Sequence, residues 1–325
     1  MILDFNDACW SHSEADWQRS LIEMLLLAKR HAQHAVLAAP AKMLPWCELQ
    51  LPLFADYFKT RLTSAQPRAN ALKIVISPTG ATSPIGVPPW ELTAEAACAI
   101  VSRPLRLVLE NDESDRRFLA STVPSFSNWC DRNWVETVMG GGSSMGATIG
   151  FASEDVVGRW RTFFMFDSDR LHPSELAPGW TPPGGDGCQG HTFEVLCSGM
   201  PRERWHRLER RSIENYLPAS VLSPLGADLA TTLFGVAIGV MAHYYNIKKG
   251  LRGDGVSPVD PKKTVRAARS QSFWTSLPPA DVATLEPGFG TNIASEFANV
   301  PAHHPWPVTV VSEMNALADA LQDAM

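Results

Sequence analysis

Between Pro104 and Asp169 the chain alternates between short apolar runs and stretches of helical spacing, and few folds accept that alternation. The run LRLVLE, ending in Glu110, is bounded by proline on one side and acids on the other, as a buried parallel strand is. Residues 115–120 continue as a helix. A second strand is expected over 134–139, running into GGGSSMG, and a third over 160–166 (WRTFFMF), ending at Asp167. A β-α-β-α-β order of this kind predicts an α/β chain with a mostly parallel sheet flanked by helices.

Outside that core the pattern is less regular. Apolar residues recur at helical spacing from Ala15 to Ala39 (Trp17, Leu21, Met24, Leu25, Ala28), while 35–39 and 72–76 are each short enough to be strands. The stretch SPTGATSPIGVPP (77–89) reads as loop, and 91–101 as helix. Residues 1–102 are therefore expected to form an additional mixed or helical region, suited to partner docking or dimerisation. Residues 103–270 hold the sheet. Residues 271–325 are a proline-rich segment and an amphipathic helix packing on it. A proline- and glycine-rich excursion is expected over 171–190, a strand or strand end over 208–217, and a long buried helix over 228–245.

Charge and cysteine content narrow the function. A formal net charge of −6 argues against a uniformly basic coat for nucleic acid, so any such contact has to be local. The six cysteines form no C-x-x-C pair, which argues against a zinc site and for a reducing compartment. Acids in MILDFNDACW replace the basic stretch of a secretory signal, and the most apolar segment, 229–241, is too short to span a bilayer. The expectation is a cytoplasmic chain with no membrane contact.

The chemistry sits where apolar runs end. Glu110 follows LRLVL, Asp167 and Asp169 follow FFMF, and Glu214 lies within RRSIENYLP. Residues just past the carboxyl ends of parallel strands converge on one edge, where ligands bind. Carboxylates gathered there repel one another, and a hard divalent cation with oxygen ligands, Mg²⁺ or Mn²⁺, is the natural neutraliser. Two basic segments flank Glu214: Arg202, Arg204, Arg207, Arg210 and Arg211 before it, and Lys262, Lys263, Arg266 and Arg269 further on. Each is either a phosphate track or a solvated face.

These residues resemble the TOPRIM fold, a Rossmann-like fold of topoisomerases, primases and nucleases, and within it the OLD-type and AriB-like bacterial anti-phage nucleases. The resemblance rests on LVLENDESDRRFL, MFDSDR and ERRSIENYLP, with Lys248 or Lys249 of NIKKGLRGD as the expected active-site lysine, and it spans residues 104–254. It implies a Mg²⁺-dependent nuclease that cuts phosphodiester bonds in DNA or RNA. Glu110, Asp167 and Asp169 would hold metal. Glu110, Asp115, Glu214 and Lys248 would be catalytic, and Arg210, Arg211 and Lys249 would contact nucleic acid. It also implies a separate ABC-type ATPase as partner, since no Walker lysine follows GGGSSMG, and a homodimer is a further expectation.

Two other readings stand beside it. Asn111 occupies a position where those sites usually carry glycine, which makes a non-catalytic TOPRIM interaction module the alternative. The D-x-D of Asp167 and Asp169 is also shared with haloacid-dehalogenase phosphatases and metal-dependent glycosyltransferases. A D-x-D after the first strand favours the phosphatase, and one after the third favours TOPRIM. Lone histidines such as His191, His206 and His243 are expected to be ordinary packing residues.

Overall fold

A computed structural model describes residues 1–31, 33–64, 66–183, 187–254 and 275–325. The second basic segment, Lys262, Lys263, Arg266 and Arg269, and the expected 270/271 boundary lie outside the described residues.

The chain forms two four-stranded sheets, each wholly parallel and each flanked by helices. The first contains β1 (Ile2–Phe5), β2 (Ala35–Leu37), β3 (Lys73–Ala81) and β4 (Trp90–Leu92) in the order β2-β1-β3-β4. Its crossovers are α1 (Ala15–Arg30), then α2 (Pro40–Gln50) with α3 (Ala55–Ser64), and α4 (Ala94–Val101) follows β4. The region expected to be mixed or helical is thus a parallel sheet in its own right. β2 and β3 begin within the runs 35–39 and 72–76 expected as strands, while β1 and β4, of four and three residues, are too short to show periodicity. Helix α1 stops at Arg30, so that Ala35–Leu37 can pair with β1. β3 runs on to Ala81 through residues read as loop, with a register shift against β4. The start of the expected 91–101 helix is strand, and Thr93 caps α4 by accepting from the Ala96 N–H.

The second sheet contains β5 (Leu105–Leu109), β6 (Val135–Met139), β7 (Thr162–Phe166) and β8 (Trp205–Arg207) in the order β6-β5-β7-β8. Its helices are α5 (Asp112–Thr122), α6 (Phe126–Asp131), α7 (Gly142–Glu154), the single turn α8 (Gly158–Arg161) and α9 (Gln189–Cys197). Side chains alternate between two cores. Leu105, Leu107, Leu109, Phe163 and Met165 face α5 and the C-terminal helix Val308–Ala324, while Val108, Phe164 and Phe166 face α7 and α9. Every residue of β7 is buried, as an inner parallel strand covered on both faces requires.

The path leaves β5 to form β6 on one side and returns to form β7 on the other. The loops after β5 and β7 diverge at that reversal and leave a crevice between the two carboxyl ends.

Beyond β8 the backbone is irregular. Residues 208–217, read as strand, contain only a 3-10 turn at Ile213–Tyr216. The long helix expected over 228–245 is broken into Ala227–Leu233 and a 3-10 segment Gly239–Tyr244, with Gly239 at φ +54°. The C-terminal helix covers the second sheet through Val310, Met314, Leu317 and Leu321. It also meets the first half of the chain, where Arg68 pairs with Asp319 and Asp323 at 3.1 and 3.2 Å. No helix among the described residues is long and apolar enough to cross a membrane.

Candidate acidic active site

Glu110 and Asp167 end β5 and β7, which are hydrogen-bonded neighbours. The Asp167 backbone N–H donates to Glu110 Oε1 at 2.8 Å, and Asp167 Oδ1 accepts from the Ile213 N–H at 3.1 Å. Asp115 lies on the first turns of α5 and its Oδ2 accepts from the Asn111 N–H at 2.9 Å. Asn111, the expected departure from the family pattern, is the N-cap of α5, its side chain accepting from the Ser114 N–H at 3.3 Å. Glu214, on the 3-10 turn, is 2% exposed; its Oε1 pairs with Lys248 Nζ at 2.8 Å, and its buried Oε2 has no hydrogen-bond partner.

A cavity of about 390 Å³ brings Glu110, Asp115, Asp167, Glu214 and Lys248 onto one surface. Thr291, Asn292, Ala294 and Ser295 also line it. Lys248 is therefore the member of the doubled lysine that reaches the acids, while Lys249 is exposed and does not line the cavity.

Four carboxylates share Lys248, while Arg117 at the same cavity is paired with a fifth acid, Glu113, so the site is short of positive charge. Burial, then Asp169 and Asp115, push Glu110 up to about 8, against the Asp167 N–H that favours its charged form. Burial followed by Glu110, Glu214, Asp115 and Asp169 raises Asp167 well above the usual carboxylate range. Burial and Glu214 raise Asp115 to about 6, opposed by the Asn111 N–H. Burial works against the charge on Lys248, but Glu214 outweighs it and raises the ammonium above its ordinary value. The matching edge of the first sheet is quite different, because Asp4 pairs with Lys73 and Asp7 with Lys42, both at 2.7 Å.

Asp169 is turned elsewhere. Its φ of +53° swings the side chain out of line with Asp167, and Oδ2 accepts from the Gly190 N–H at 3.1 Å in the first turn of α9. Its charge is still felt at Glu110. Gly190 is required there, because a Cβ would meet the carbonyl oxygens of Asp167 and Ser168. The expected excursion over 171–190 thus ends as a support for the D-x-D turn. Among the described residues no three His, Cys, Asp or Glu side chains already stand as a ligand set for a metal.

Arg204, Arg207, Arg210 and Arg211, before Glu214, do not present themselves to solvent as a phosphate track. Arg211 is buried and pairs through both terminal nitrogens with buried Asp254, at 2.5 and 2.7 Å. Arg210 lies 4.6 Å from the Tyr216 ring centroid and donates to the Asn215 carbonyl at 2.6 Å. Arg204 is buried beside Trp160, and Arg207 pairs with Glu194 at 2.9 Å. These cations hold the irregular segment in place, since a backbone outside helix and sheet needs side-chain partners when buried. Ser168 and Asp169 bond the carbonyls of Arg210 and Arg211, and Asn215 donates to those of Ala242 and Tyr245.

Sequence reasoning passed over Asp254 and Glu313. Glu313 of the C-terminal helix accepts from the Tyr216 hydroxyl at 2.7 and 2.8 Å and from the Glu209 N–H at 2.8 Å. Both acids sit in unpatterned or helical sequence, where no strand end marks them. Tyr216 is buried in the core, and none of His191, His206 and His243 lines the acidic cavity. The chain matches no known protein family, no curated protein and no solved structure.

Proposed function

We propose that the chain is a divalent-metal-dependent nuclease of TOPRIM type. The observation that carries this reading is the convergence of Glu110, Asp115, Asp167 and Glu214 on the crevice between β5 and β7, with one buried Glu214 oxygen left without a partner. A buried carboxylate oxygen without a partner is costly, and a cation relieves both that cost and the repulsion among the acids. The donor set is all hard oxygen and suits Mg²⁺ or Mn²⁺.

Asp167, Glu214 and Glu110 are the side chains placed to hold the ion, with Asp115 beside them. Asp169 joins them only if its carboxylate leaves Gly190. A bound divalent ion would polarise a phosphoryl oxygen and lower the pKa of water. Glu110 is either the third ligand or, where it stays off the ion, the base that takes a proton from attacking water. Lys248, held by Glu214, places positive charge where a phosphate would gain negative charge in the transition state. The D-x-D follows the third strand of its sheet in chain order, which favours TOPRIM over the phosphatase reading.

In this reading the chain is a cytoplasmic effector of anti-phage defence, and its first sheet is the surface for a separate ABC-type ATPase or a second copy. A degenerate interaction module is the second reading, and the capture of Asp169 by Gly190 favours it. Incubating plasmid DNA and tRNA with Mg²⁺ or Mn²⁺ and the wild type, Glu110→Ala or Asp167→Ala separates the two. Metal-dependent cleavage by the wild type alone is expected. The same metal-independent background in all three would overturn the nuclease.

A further inference from the structure

The acidic cavity does not end at the acids. A second recess of about 330 Å³ adjoins it and shares Glu113 and Arg117 as a common wall, so that the two form one trough along α5. Lys248 stands at the inner end, Arg117 at the junction and Arg116 in the outer recess. Successive residues of a helix point about 100° apart. Arg117 therefore serves both recesses, and Arg116 only the outer one.

Neither arginine has a buried ion-pair partner as Arg211 has. Arg116 is exposed and has no ion pair among the described residues. Arg117 is 41% exposed, pairs at 2.6 Å with Glu113, itself 78% exposed, and donates to the Ser295 carbonyl only at a long 3.5 Å. An exposed pair four residues apart on a helix is weak enough for a phosphate to displace, and a guanidinium takes phosphate in bidentate fashion.

We propose that this trough binds a single-stranded polynucleotide, with Arg117 and Arg116 holding phosphates that flank the one lying over the acids. The inference rests on the nuclease reading for the inner end of the trough. Recesses of this size admit one strand, whereas a duplex would have to stay at their rim. Glu113 and Asp131 also line the outer recess, so the binding is expected to be modest and steeply salt-dependent.

The test is fluorescence anisotropy with a fluorescein-labelled oligothymidylate of about 12 nucleotides, Ca²⁺ replacing Mg²⁺ to hold off cleavage. Exchanging both arginines (Arg116→Gln with Arg117→Gln) should weaken binding about tenfold or more and lower the slope of log affinity against log salt by about 1.4. The charge-keeping pair Arg116→Lys with Arg117→Lys should keep most of that slope. Unaltered affinity and slope in the glutamine variant, no binding by the wild type, or equal binding of a duplex of the same length would each overturn the proposal.

Mn²⁺ titration of the same samples keeps the two readings apart. Mn²⁺ binding with arginine-independent oligonucleotide affinity sinks the trough and spares the metal site. Arginine-dependent binding without Mn²⁺ binding does the reverse.

Discussion

The Asp167 backbone N–H reaches Glu110 Oε1 across 2.8 Å, joining acids that are 57 residues apart in the chain. The contact follows from the pairing of β5 with β7, in which Leu107 is opposite Phe163 and Val108 opposite Phe164. That register delivers both carboxylates to the same end of neighbouring strands. Everything chemical about the site depends on it.

Metal affinity should depend on pH in a direction the carboxylates set. An ion needs deprotonated ligands, and Glu110 and Asp115 are held at about 8 and about 6. Mn²⁺ affinity, read by calorimetry, is expected to rise from pH 6 and level off above about 8. A flat profile across that window would mean that neither acid takes part.

The same shifts fix how the metal-free protein responds to pH. Glu110, Asp115 and Asp167 hold protons more tightly when folded than when unfolded. Their contribution is therefore fully present below the unfolded carboxylate range, near 4, and is lost as pH rises toward 8. In EDTA the melting temperature should fall between pH 5 and 8, other groups being equal. Mg²⁺ should restore more of it at pH 8 than at pH 6. Thermal denaturation with and without the ion reads both effects.

Two ion pairs on the 208–217 segment should behave differently when broken. Arg211 and Asp254 are both buried, so Asp254→Ala is expected to cost about 3–5 kcal/mol by leaving a buried guanidinium uncompensated. Lys248 is 41% exposed, and Lys248→Met should cost less, roughly 1–2 kcal/mol after screening, while removing cleavage. Denaturant melts of the two variants give the ranking. A larger loss for Lys248→Met would contradict the division between fold and chemistry.

Gly190 offers a test of how tightly the D-x-D turn is held. The Cβ of Gly190→Ala would overlap the carbonyls of Asp167 and Ser168, with no flexible side-chain end to yield. A destabilisation of about 1–3 kcal/mol is expected, together with weaker Mn²⁺ binding, because the turn carrying Asp167 must shift. Wild-type affinity in a folded Gly190→Ala protein would show that the turn is not part of the metal site.

Three strands of the second sheet, β5, β6 and β7, were legible in the sequence, whereas β8 lies just before the 208–217 stretch that was read as strand. TFFMF is buried throughout and LRLVL everywhere but at Arg106, and each stops at an acid. The first sheet was harder to read. Its shortest strands have three residues, and β3 passes through proline and glycine that read as loop.

The sequence also suggested Glu214 and Lys248, but not what they do to each other or what surrounds them. Residues 208–217 and 246–254 have no repeating pattern, because they are held by partners far along the chain: Arg211 by Asp254, Asn215 by the carbonyls of Ala242 and Tyr245, Tyr216 by Glu313. The arginines before Glu214 looked like a phosphate track for the same reason. Composition records that a guanidinium is present and says nothing of whether it faces water or a buried carboxylate.

Local pattern thus determined the strands and the acids at their ends, since burial on two faces and an abrupt change to polar residues are properties of a few consecutive side chains. The order β6-β5-β7-β8, the cavity it opens, the turning of Asp169 toward Gly190 and the choice of Lys248 over Lys249 were decided only by tertiary structure. Each depends on contacts between residues tens of positions apart, and the free energy of such contacts is set by geometry that no local window contains.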